Sequence, residues 1–411
     1  MLTIVSPDHH IYIHLTTLLH PLPDTMSDSD LWDTDRPAKR LRGTQFEEFL
    51  FRDRMLDIIG DHDPQHPLLL FYTPHVAHMP LQVPARYLDR FIPLTNGTDE
   101  RVCGSFKFPC EPPNPLVVNP THPGVFSCRA QYHASVSLLD DVIGEVTQAL
   151  ERKNMWNNTL MIFSSDNGGP ININSNAANN FPLRGGKFGP FEGGIRSAAF
   201  VSGGFLPPSA RGSECHGMVS VADWLGTLAR LAGDLHPTDD KAAKAVPAVP
   251  PIDSLDVWPL IIGANATSPR TMLPVDDTTI LVGDHKLIVT PAHAPAKVSG
   301  WTGPVYPNST TPDRNPSRER LGCPQPGCLF DVVHDPTEHH DLAASQPALA
   351  HQLLSTLREE RIRFWENHDK GEDACPRGWK DGWWGTGCAC WMAAHVHGDN
   401  TTGPWLGPYQ E

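Results

Sequence analysis

An acid and an amide stand side by side where an apolar run meets two glycines, in the stretch TLMIFSSDNGGP. The carboxylate of Asp166 and the amide carbonyl of Asn167 are hard oxygen donors, which Ca²⁺ and Mg²⁺ prefer. Gly168 and Gly169 would let the backbone approach a bound group closely. Taken alone, the pair is better explained by an Asx turn that closes a loop. The stretch therefore indicates a cation site or a turn, and its surroundings decide between them.

Two other stretches hold side chains suited to an anion. Lys187 is flanked by two glycine pairs in FPLRGGKFGPFEGG, so a compact cation stands where backbone can pass close to an anion. His75 and His78 follow an apolar run in FYTPHVAHMPLQVP and could act as acid, base or anion ligand. Alone, a solvated lysine or a structural histidine explains each of them. The rest of the sequence decides whether these residues and the pair Asp166 and Asn167 belong to one site.

Predicted helices and strands alternate around these stretches. Helical spacing of apolar residues predicts a helix over residues 45–59, followed by a buried strand in PLLLFYTP. SVSLLDDVIGEVTQALERKNMW predicts a second helix, with Val136, Leu139 and Val142 on its apolar face, and TLMIF a second strand. This order favours an α/β fold with a mostly parallel sheet flanked by helices, whose site lies beyond the carboxyl ends of the strands. Residues 91–128, rich in Pro, are predicted to be a long surface loop.

The pattern changes near residue 270. VADWLGTLARLAG predicts an amphipathic helix closed by glycine, and a Pro-rich segment follows it. Beyond that segment, short strands such as those in TTILVGDHKLIVTP are followed by one helix near ALAHQLLSTLREERIRF. We predict a domain over residues 1–270 and a smaller α+β domain over residues 271–411, with a small antiparallel sheet and a helix.

The overall charge restricts the partners. The formal charge of −15 disfavours nucleic acid or an anionic membrane as the main partner, because clustered Lys and Arg bind those surfaces. The 21 His would offset much of this charge in a compartment near pH ~5, given their reference pKa of ~6.5. No apolar run reaches the ~18 residues that a membrane span needs.

Cysteines and sequons indicate that the protein passes through the secretory pathway. The nine cysteines include no two CxxC pairs, which favours disulfides in an oxidising compartment, with at least one thiol left over. Glycosylation sequons occur at five positions, namely Asn96, Asn157, Asn265, Asn308 and Asn400. The start MLTIVSPDHHIYIHLTTLLHP is interrupted by His and Pro and does not resemble a signal peptide. These features together predict that the front of the chain is missing.

In order and spacing, seven segments resemble the sulfatase family, and most closely the arylsulfatase B group. They are HMPLQVPARYLDRF, MWNNTLMIF, SSDNGGP, PLRGGKFGPFEGGIRSAAFVSGG, VADWLGTLARLAGD, PIDSLDVWPLI and LFDVVHDPTEHHDLA. The resemblance implies an alkaline-phosphatase-like α/β domain followed by a smaller domain. It also implies hydrolysis of a sulfate ester with the help of one calcium ion.

The resemblance assigns roles residue by residue. It implies that Asp166 and Asn167 are two of the calcium ligands and that Lys187 grips the substrate sulfate. It implies that His78 contacts the sulfate and assists the leaving oxygen; His78 is preferred over His75 because HMPLQVP fits the family's H-x-P-L-Q-V-P phrase. The expected partner is a small-molecule or glycan sulfate ester, and the expected location is the lysosome or the cell exterior.

Three segments of the family's pattern are not found. No paired-aspartate strand, which would hold the remaining calcium carboxylates, precedes Leu68. Neither a K-x-H-x-G segment nor the C-x-P-x-R or S-x-P-x-R motif, whose first residue becomes formylglycine, occurs in the 411 residues. The closest cysteine contexts read CEPPN, CPQPG and CPRGW. We therefore expect an N-terminally truncated sulfatase, by a truncated gene record or splice form rather than by completion with another polypeptide. Weak calcium binding and no turnover are expected, because ligand charge and the covalent nucleophile are both lacking.

Two other hypotheses remain open. A phosphoester hydrolase of the same superfold would need more metal-binding His and Asp than this sequence places. A non-catalytic binder of sulfated glycans would keep Lys187 and His78 without the chemistry.

Overall fold

The computed structural model of the chain describes residues 2–6, 9–13, 32–33, 36–38, 41, 44–78, 81, 83–91, 128–171, 178–234, 244, 252–290, 300–301 and 322–364. Residues 92–127, which make up most of the predicted long loop, lie outside the described residues, as do the sequons at Asn96, Asn308 and Asn400. The chain divides into two compact units: Met1–Trp156 with Asn174–Ala177 and Glu366–Glu411, and Asn157–Ile173 with Ala178–Trp365.

The first unit combines short antiparallel strands with two long helices. Its elements are β1 (Leu2–Ser6), β2 (His9–Ile13), β3 (Trp32–Asp33), β4 (Arg36–Pro37), α1 (Glu47–Asp61), β5 (Leu69–Phe71), α2 (Ala85–Leu88) and α3 (Cys128–Arg152), and a 3-10 turn at Trp156–Asn158 spans the boundary with the second unit. Strand β1 pairs with β2 on one side and with β5 on the other, both antiparallel. Helices α1 and α3 pack on each other through Met55, Leu138 and Val142.

The second unit contains the main antiparallel sheet. Its elements are β6 (Met161–Ser164), α4 (Glu192–Ile195), β7 (Ala199–Ser202), a 3-10 turn at Pro208–Ala210, α5 (Asp223–Leu231), α6 (Trp258–Ile261), β8 (Met272–Asp276), β9 (Thr279–Val282), β10 (His285–Ile288), β11 (Cys328–Asp331), α7 (Pro347–Glu360) and a 3-10 turn at Arg361–Arg363. The sheet has the order β11-β10-β9-β8, and β6 pairs separately with β7.

The sheet of the second unit buries both of its faces. Leu287 on one face packs with Leu353 and Leu357 of α7. Ile288 and Phe330 on the opposite face pack with Phe191, which directly precedes α4. The predicted short strands and the late helix are therefore present. The second unit contains residues on both sides of residue 270. The predicted domain boundary near residue 270 therefore stays a prediction.

The strand pairing differs from the predicted mostly parallel sheet. Among the described residues, each paired strand has antiparallel neighbours, including β5 and β6, which the sequence reading placed in a parallel sheet. An antiparallel neighbour needs no helical crossover, and the connection from β6 to β7 consists of loops and the single turn of α4.

The predicted burial patterns of β5 and α3 are wrong in detail. Leu69 and Phe71 of β5 are exposed, whereas Leu68 and Leu70 pack against the helices, so one face of the strand is covered. In α3 the buried positions are Ala134, Leu138 and Val142, while Val136 is exposed. Small side chains at the helix contact, which carry little hydropathy signal, shift the buried face.

A disulfide joins Cys323 and Cys328 just before and at the start of β11. Cys215 is an exposed free thiol. Disulfide formation in this chain is therefore confirmed, as predicted from its cysteine usage. Among the helices of the described residues, none combines the length and apolar character needed to cross a bilayer.

Candidate functional site

Two loops of the second unit are joined by backbone hydrogen bonds. The DNGG loop, residues 165–170, leaves the end of β6, and the glycine loop, residues 184–194, leads into α4. Gly168 N–H donates to Gly194 O at 2.9 Å, and Lys187 N–H donates to Gly169 O at 3.2 Å. Asp166, Asn167 and Lys187, which are far apart in the sequence, therefore lie on adjoining loops.

Glycine is required where the two backbones meet. A Cβ on Gly168 would lie 1.7 Å from Gly193 O, and a Cβ on Gly186 would lie 2.3 Å from Gly169 O. Neither contact is possible for a side chain, so the close approach depends on the absence of Cβ. The predicted role of the glycines, close backbone approach, is observed here between the two loops themselves.

Asn180 connects the loops through its side-chain amide. Its Oδ1 accepts from Gly169 N–H at 3.0 Å, and its Nδ2 donates to Gly169 O at 2.7 Å and to Gly185 O at 2.9 Å. The role of Asn180 was not predicted from the sequence. Its only signal was an amide directly before the aromatic-proline pair that opens FPLRGGK.

Asp166 and Asn167 present oxygens that suit a cation. Asp166 Oδ1 accepts from Asn167 N–H at 2.8 Å, and Asn167 Nδ2 donates to Gly168 O at 3.0 Å. Within the described part of the chain, Asp166 Oδ2 and Asn167 Oδ1 accept no hydrogen bond, because the amide nitrogen is the atom turned toward the backbone. Neither oxygen is thus occupied by a hydrogen bond from a described residue, and the predicted metal-ligand role stays a prediction.

Asp166 and Asn167 alone supply too few ligands for a calcium ion. Calcium takes about six to eight oxygen ligands. No group of three or more His, Cys, Asp or Glu side chains suited to a metal ion occurs among the residues that the structure describes. Asp166 and Asn167 therefore fit the role of two oxygen ligands, and further ligands are needed.

Lys187 is a half-buried cation beside this pair. Its Nζ lies 5.6 Å from the ring centroid of Phe188, which holds a positive φ of 72°. No carboxylate forms an ion pair with Lys187 in the described ranges. An ammonium group without a carboxylate partner, on a loop bonded to the loop that carries Asp166 and Asn167, is suited to bind an anion.

His78 belongs to the first unit, and its loop is anchored there by the start of α1. His78 N–H donates to His75 O at 2.8 Å. Glu48 accepts from His75 N–H at 2.6 Å and from the hydroxyl of Tyr72. Glu47 Oε1 lies 2.7 Å from His75 Nδ1. The exposed His78 is thus held by its backbone, and His75 is the structural histidine of the two.

These anchoring groups have shifted pKa values. Burial is the main cause that raises the pKa of Glu48, and it outweighs the hydrogen bonds from Tyr72 and His75. The hydrogen bond to Glu47 is the main cause that raises the pKa of His75. Both groups hold their protons more tightly in the folded chain than in the unfolded chain, so both favour folding in mildly acidic solution.

The structure thus brings Asp166, Asn167 and Lys187 together in the second unit. His78 lies in the first unit, and its approach to the other three stays a prediction.

Comparison with known proteins finds sulfatases among the relatives of this chain. A family model described as Sulfatase matches residues 25–234, half of the chain. Arylsulfatase J of Mus musculus is 27% identical over 352 residues, which are 80% of this chain and 51% of the relative. The chain spans about half the length of the curated relatives it matches.

Two solved structures share the fold. Ps i-CgsB in complex with k-i-k-neocarrahexaose matches with a TM-score of 0.54 and 20% identity, over 85% of this chain and 63% of its own. A protein in complex with its substrate D-glucosamine-2-N,6-O-disulfate matches with a TM-score of 0.50 and 14% identity, over 83% of this chain and 74% of its own. The predicted α/β fold class is confirmed by this likeness.

Proposed function

The chain belongs to the sulfatase family, whose members hydrolyse sulfuric esters, and from that premise we propose that it is an arylsulfatase-type hydrolase of small-molecule or glycan sulfate esters. The observation that carries this proposal is the backbone joining of the DNGG loop to the glycine loop, which sets Lys187 beside Asp166 and Asn167.

Each side chain has a distinct proposed role. Lys187 binds the sulfate oxygens and compensates the charge that gathers on them as the ester bond breaks. His78 donates a proton to the leaving oxygen. Asp166 Oδ2 and Asn167 Oδ1 are proposed ligands of one calcium ion, which would act as a Lewis acid toward the sulfate when bound.

The 411 residues contain no C-x-P-x-R or S-x-P-x-R motif. We propose that the chain as it stands binds sulfate esters without turning them over, because no formylglycine nucleophile can form in it. A sulfated-glycan-binding protein without catalysis is the alternative function, and it shares this binding site. The likeness to a protein with a sulfated sugar substrate favours a glycan ester for either function.

A secretory or lysosomal destination is part of the proposal. The disulfide between Cys323 and Cys328 favours an oxidising compartment. The sequon residues Asn157 and Asn265 are both exposed, which glycosylation requires.

Lys187→Ala is expected to weaken binding of 4-nitrophenyl sulfate by about 10- to 100-fold, because one charge-assisted contact to the sulfate is lost. Calorimetric titration of the whole chain with calcium present measures this change. Lys244→Ala is the matched control, since Lys244 is exposed and the same charge is removed. Equal affinity for 4-nitrophenyl phosphate would favour the phosphoester hypothesis, and an unchanged affinity in Lys187→Ala would contradict the assigned site.

A turnover assay distinguishes the hydrolase proposal from the alternative, a binding protein without catalysis. The chain alone is expected to release no sulfate from the ester. A polypeptide extended upstream through a formylglycine motif is expected to release it in a calcium-dependent way if the hydrolase proposal is right. Absence of release from such an extended polypeptide would favour the binder.

Asp166→Ala is expected to lower calcium affinity at least about 10-fold, because the one carboxylate of the pair is removed and affinity follows ligand charge. Terbium emission titration, which needs no turnover, reports the change. Asp57→Ala, at an exposed position of α1, should bind like the parent chain. The metal assignment fails if Asp166→Ala and Asp57→Ala give the same titration curve.

A further inference from the structure

A lysine lies on the face of the antiparallel sheet that packs against Phe191. Lys286 lies in β10 between Leu281 of β9 and Phe330 of β11, and it is fully buried. Its Nζ lies 2.8 Å from Glu192 Oε1, 2.6 Å from Glu338 Oε1 and 3.2 Å from Pro190 O. The ammonium group donates hydrogen bonds to Glu192 Oε1 and Pro190 O, and its contact with Glu338 Oε1 is an ion pair.

Two of the three oxygens belong to the glycine loop. Pro190 and Glu192 lie in residues 184–194, whereas Glu338 follows β11. Glu338 Oε2 also accepts from Glu192 N–H at 2.7 Å. The Lys286 ammonium and the Glu338 carboxylate together fix both the side chain and the backbone of Glu192 relative to the sheet.

Arg184, at the other end of the glycine loop, attaches the loop a second time to residues outside it. Its guanidinium carbon lies 4.0 Å from the ring centroid of Phe191 and 4.5 Å from that of Trp301. Its Nη1 donates to Glu338 O at 3.2 Å, and Gly193 N–H donates to Arg184 O at 2.6 Å. Arg184 and Lys286 balance the charges of Glu192 and Glu338 when both acids are ionised.

We propose that Lys286, with Glu192 and Glu338, is a positioning residue that holds the glycine loop on the antiparallel sheet and thereby sets the place of the Lys187 ammonium. Lys187 follows Arg184 and precedes Pro190 and Glu192, so it is carried by backbone that is held at both ends. Apolar residues packed at the same place would stabilise the fold at least as well, so the specific contribution of the charges is their directed bonds.

The proposal rests on the proposed function only where it names Lys187 as the sulfate-binding cation. The attachment of the loop to the sheet is independent of any ligand. The two statements are therefore measured separately, by amide hydrogen exchange of the glycine loop and by titration with 4-nitrophenyl sulfate.

Lys286→Met is the main variant, made in the whole chain. Exchange of the amides of residues 185–195 is expected to become at least about ten-fold faster, because the loop opens without unfolding of the sheet. Affinity for 4-nitrophenyl sulfate is expected to fall about ten-fold or more, since a displacement of about 1 Å at a binding group has effects of this size or larger. Without Lys286, Glu192 Oε1 loses its ion-pair partner. If Lys286→Met does not fold, the double variant Lys286→Met with Glu192→Gln removes the charge of Glu192, and its loop exchange and ester affinity are compared with those of the parent chain.

Arg270→Met is the matched control. Arg270 forms a similarly buried pair with Asp223 in the same unit, and Asp223 is bonded to Ser220 and Leu255 instead of to the glycine loop. This variant should destabilise its own surroundings and leave the exchange of residues 185–195 and sulfate-ester affinity near the parent values. Unchanged loop exchange in both Lys286 variants, or equal effects of Arg270→Met, overturns the positioning role. If the parent chain fails to bind the ester, the proposed function fails while loop exchange still decides the attachment.

Discussion

Gly168→Ala is expected to destabilise the second unit by about 3 kcal/mol or more, at the upper end of overpacking effects, because the contact involves backbone on both sides. The added Cβ would lie 1.7 Å from Gly193 O and 2.7 Å from Gly193 C, and neither atom can rotate away. The DNGG loop must therefore move from the glycine loop, which breaks the bond from Gly168 N–H to Gly194 O. Denaturant unfolding, followed by amide exchange in β6 and β7, measures the loss.

Gly144→Ala calibrates this prediction. Gly144 lies inside α3, and a Cβ there would meet nothing within 4 Å. Alanine in a helix interior is more favourable than glycine by roughly 0.5 to 1 kcal/mol, so this variant should gain stability. A Gly168→Ala chain within about 0.5 kcal/mol of the parent, the range of ordinary surface substitutions, would show that the two loops do not touch. The same variant should lose sulfate-ester affinity, because Asp166 and Asn167 shift from Lys187.

The helices and the dependence of the two loops on glycine were predictable from the sequence, because both leave local signals. Helical spacing predicts α1, and Gly233, at φ 100°, ends α5 as expected. The glycines around Asp166 and Lys187 indicate close backbone approach before any partner is known. These features depend on residues that are near neighbours in the chain, and so a linear pattern contains them.

The cluster around Lys286 was not predictable by the same means. A lysine inside HKLIV reads as a solvent-facing strand residue, and its carboxylate partners lie 94 and 52 positions away in the sequence. Pairing over such separations leaves no periodic signal, and buried charges contradict the usual reading of Lys and Glu as surface residues. The burial of Ala134 in α3 was missed for a related reason, since a small residue at a helix contact carries little hydropathy.

The buried carboxylate of Glu338 also predicts how stability depends on pH. Burial raises its pKa from 4.5 to about 7, and the nearby Lys286 ammonium and Glu192 N–H only partly oppose this shift. Glu192 adds to the increase through its own charge, and the Arg184 guanidinium faces Glu338 from the glycine loop. The folded chain therefore binds this proton more tightly than the unfolded chain, so the stabilisation is complete below the unfolded pKa and is lost as pH rises through the folded one.

The free energy of unfolding of the second unit is expected to fall by about 2 to 3 kcal/mol between pH ~5 and pH ~8, which is the part of the Glu338 shift that lies in this interval, converted at about 1.36 kcal/mol per pKa unit. Amide exchange in β10 at several pH values, corrected for intrinsic rates, measures this slope. Glu338→Gln removes the titrating group and should flatten the slope whatever its effect on the absolute stability. Glu359→Gln, at an exposed position of α7, should keep it. A parent chain that gains stability as pH rises over this interval, or a slope that survives in Glu338→Gln, would contradict the assignment.

Because the raised pKa values of Glu48 and His75 give the first unit a slope of the same sign, both units are expected to be most stable in mildly acidic solution, which agrees with the proposed lysosomal destination.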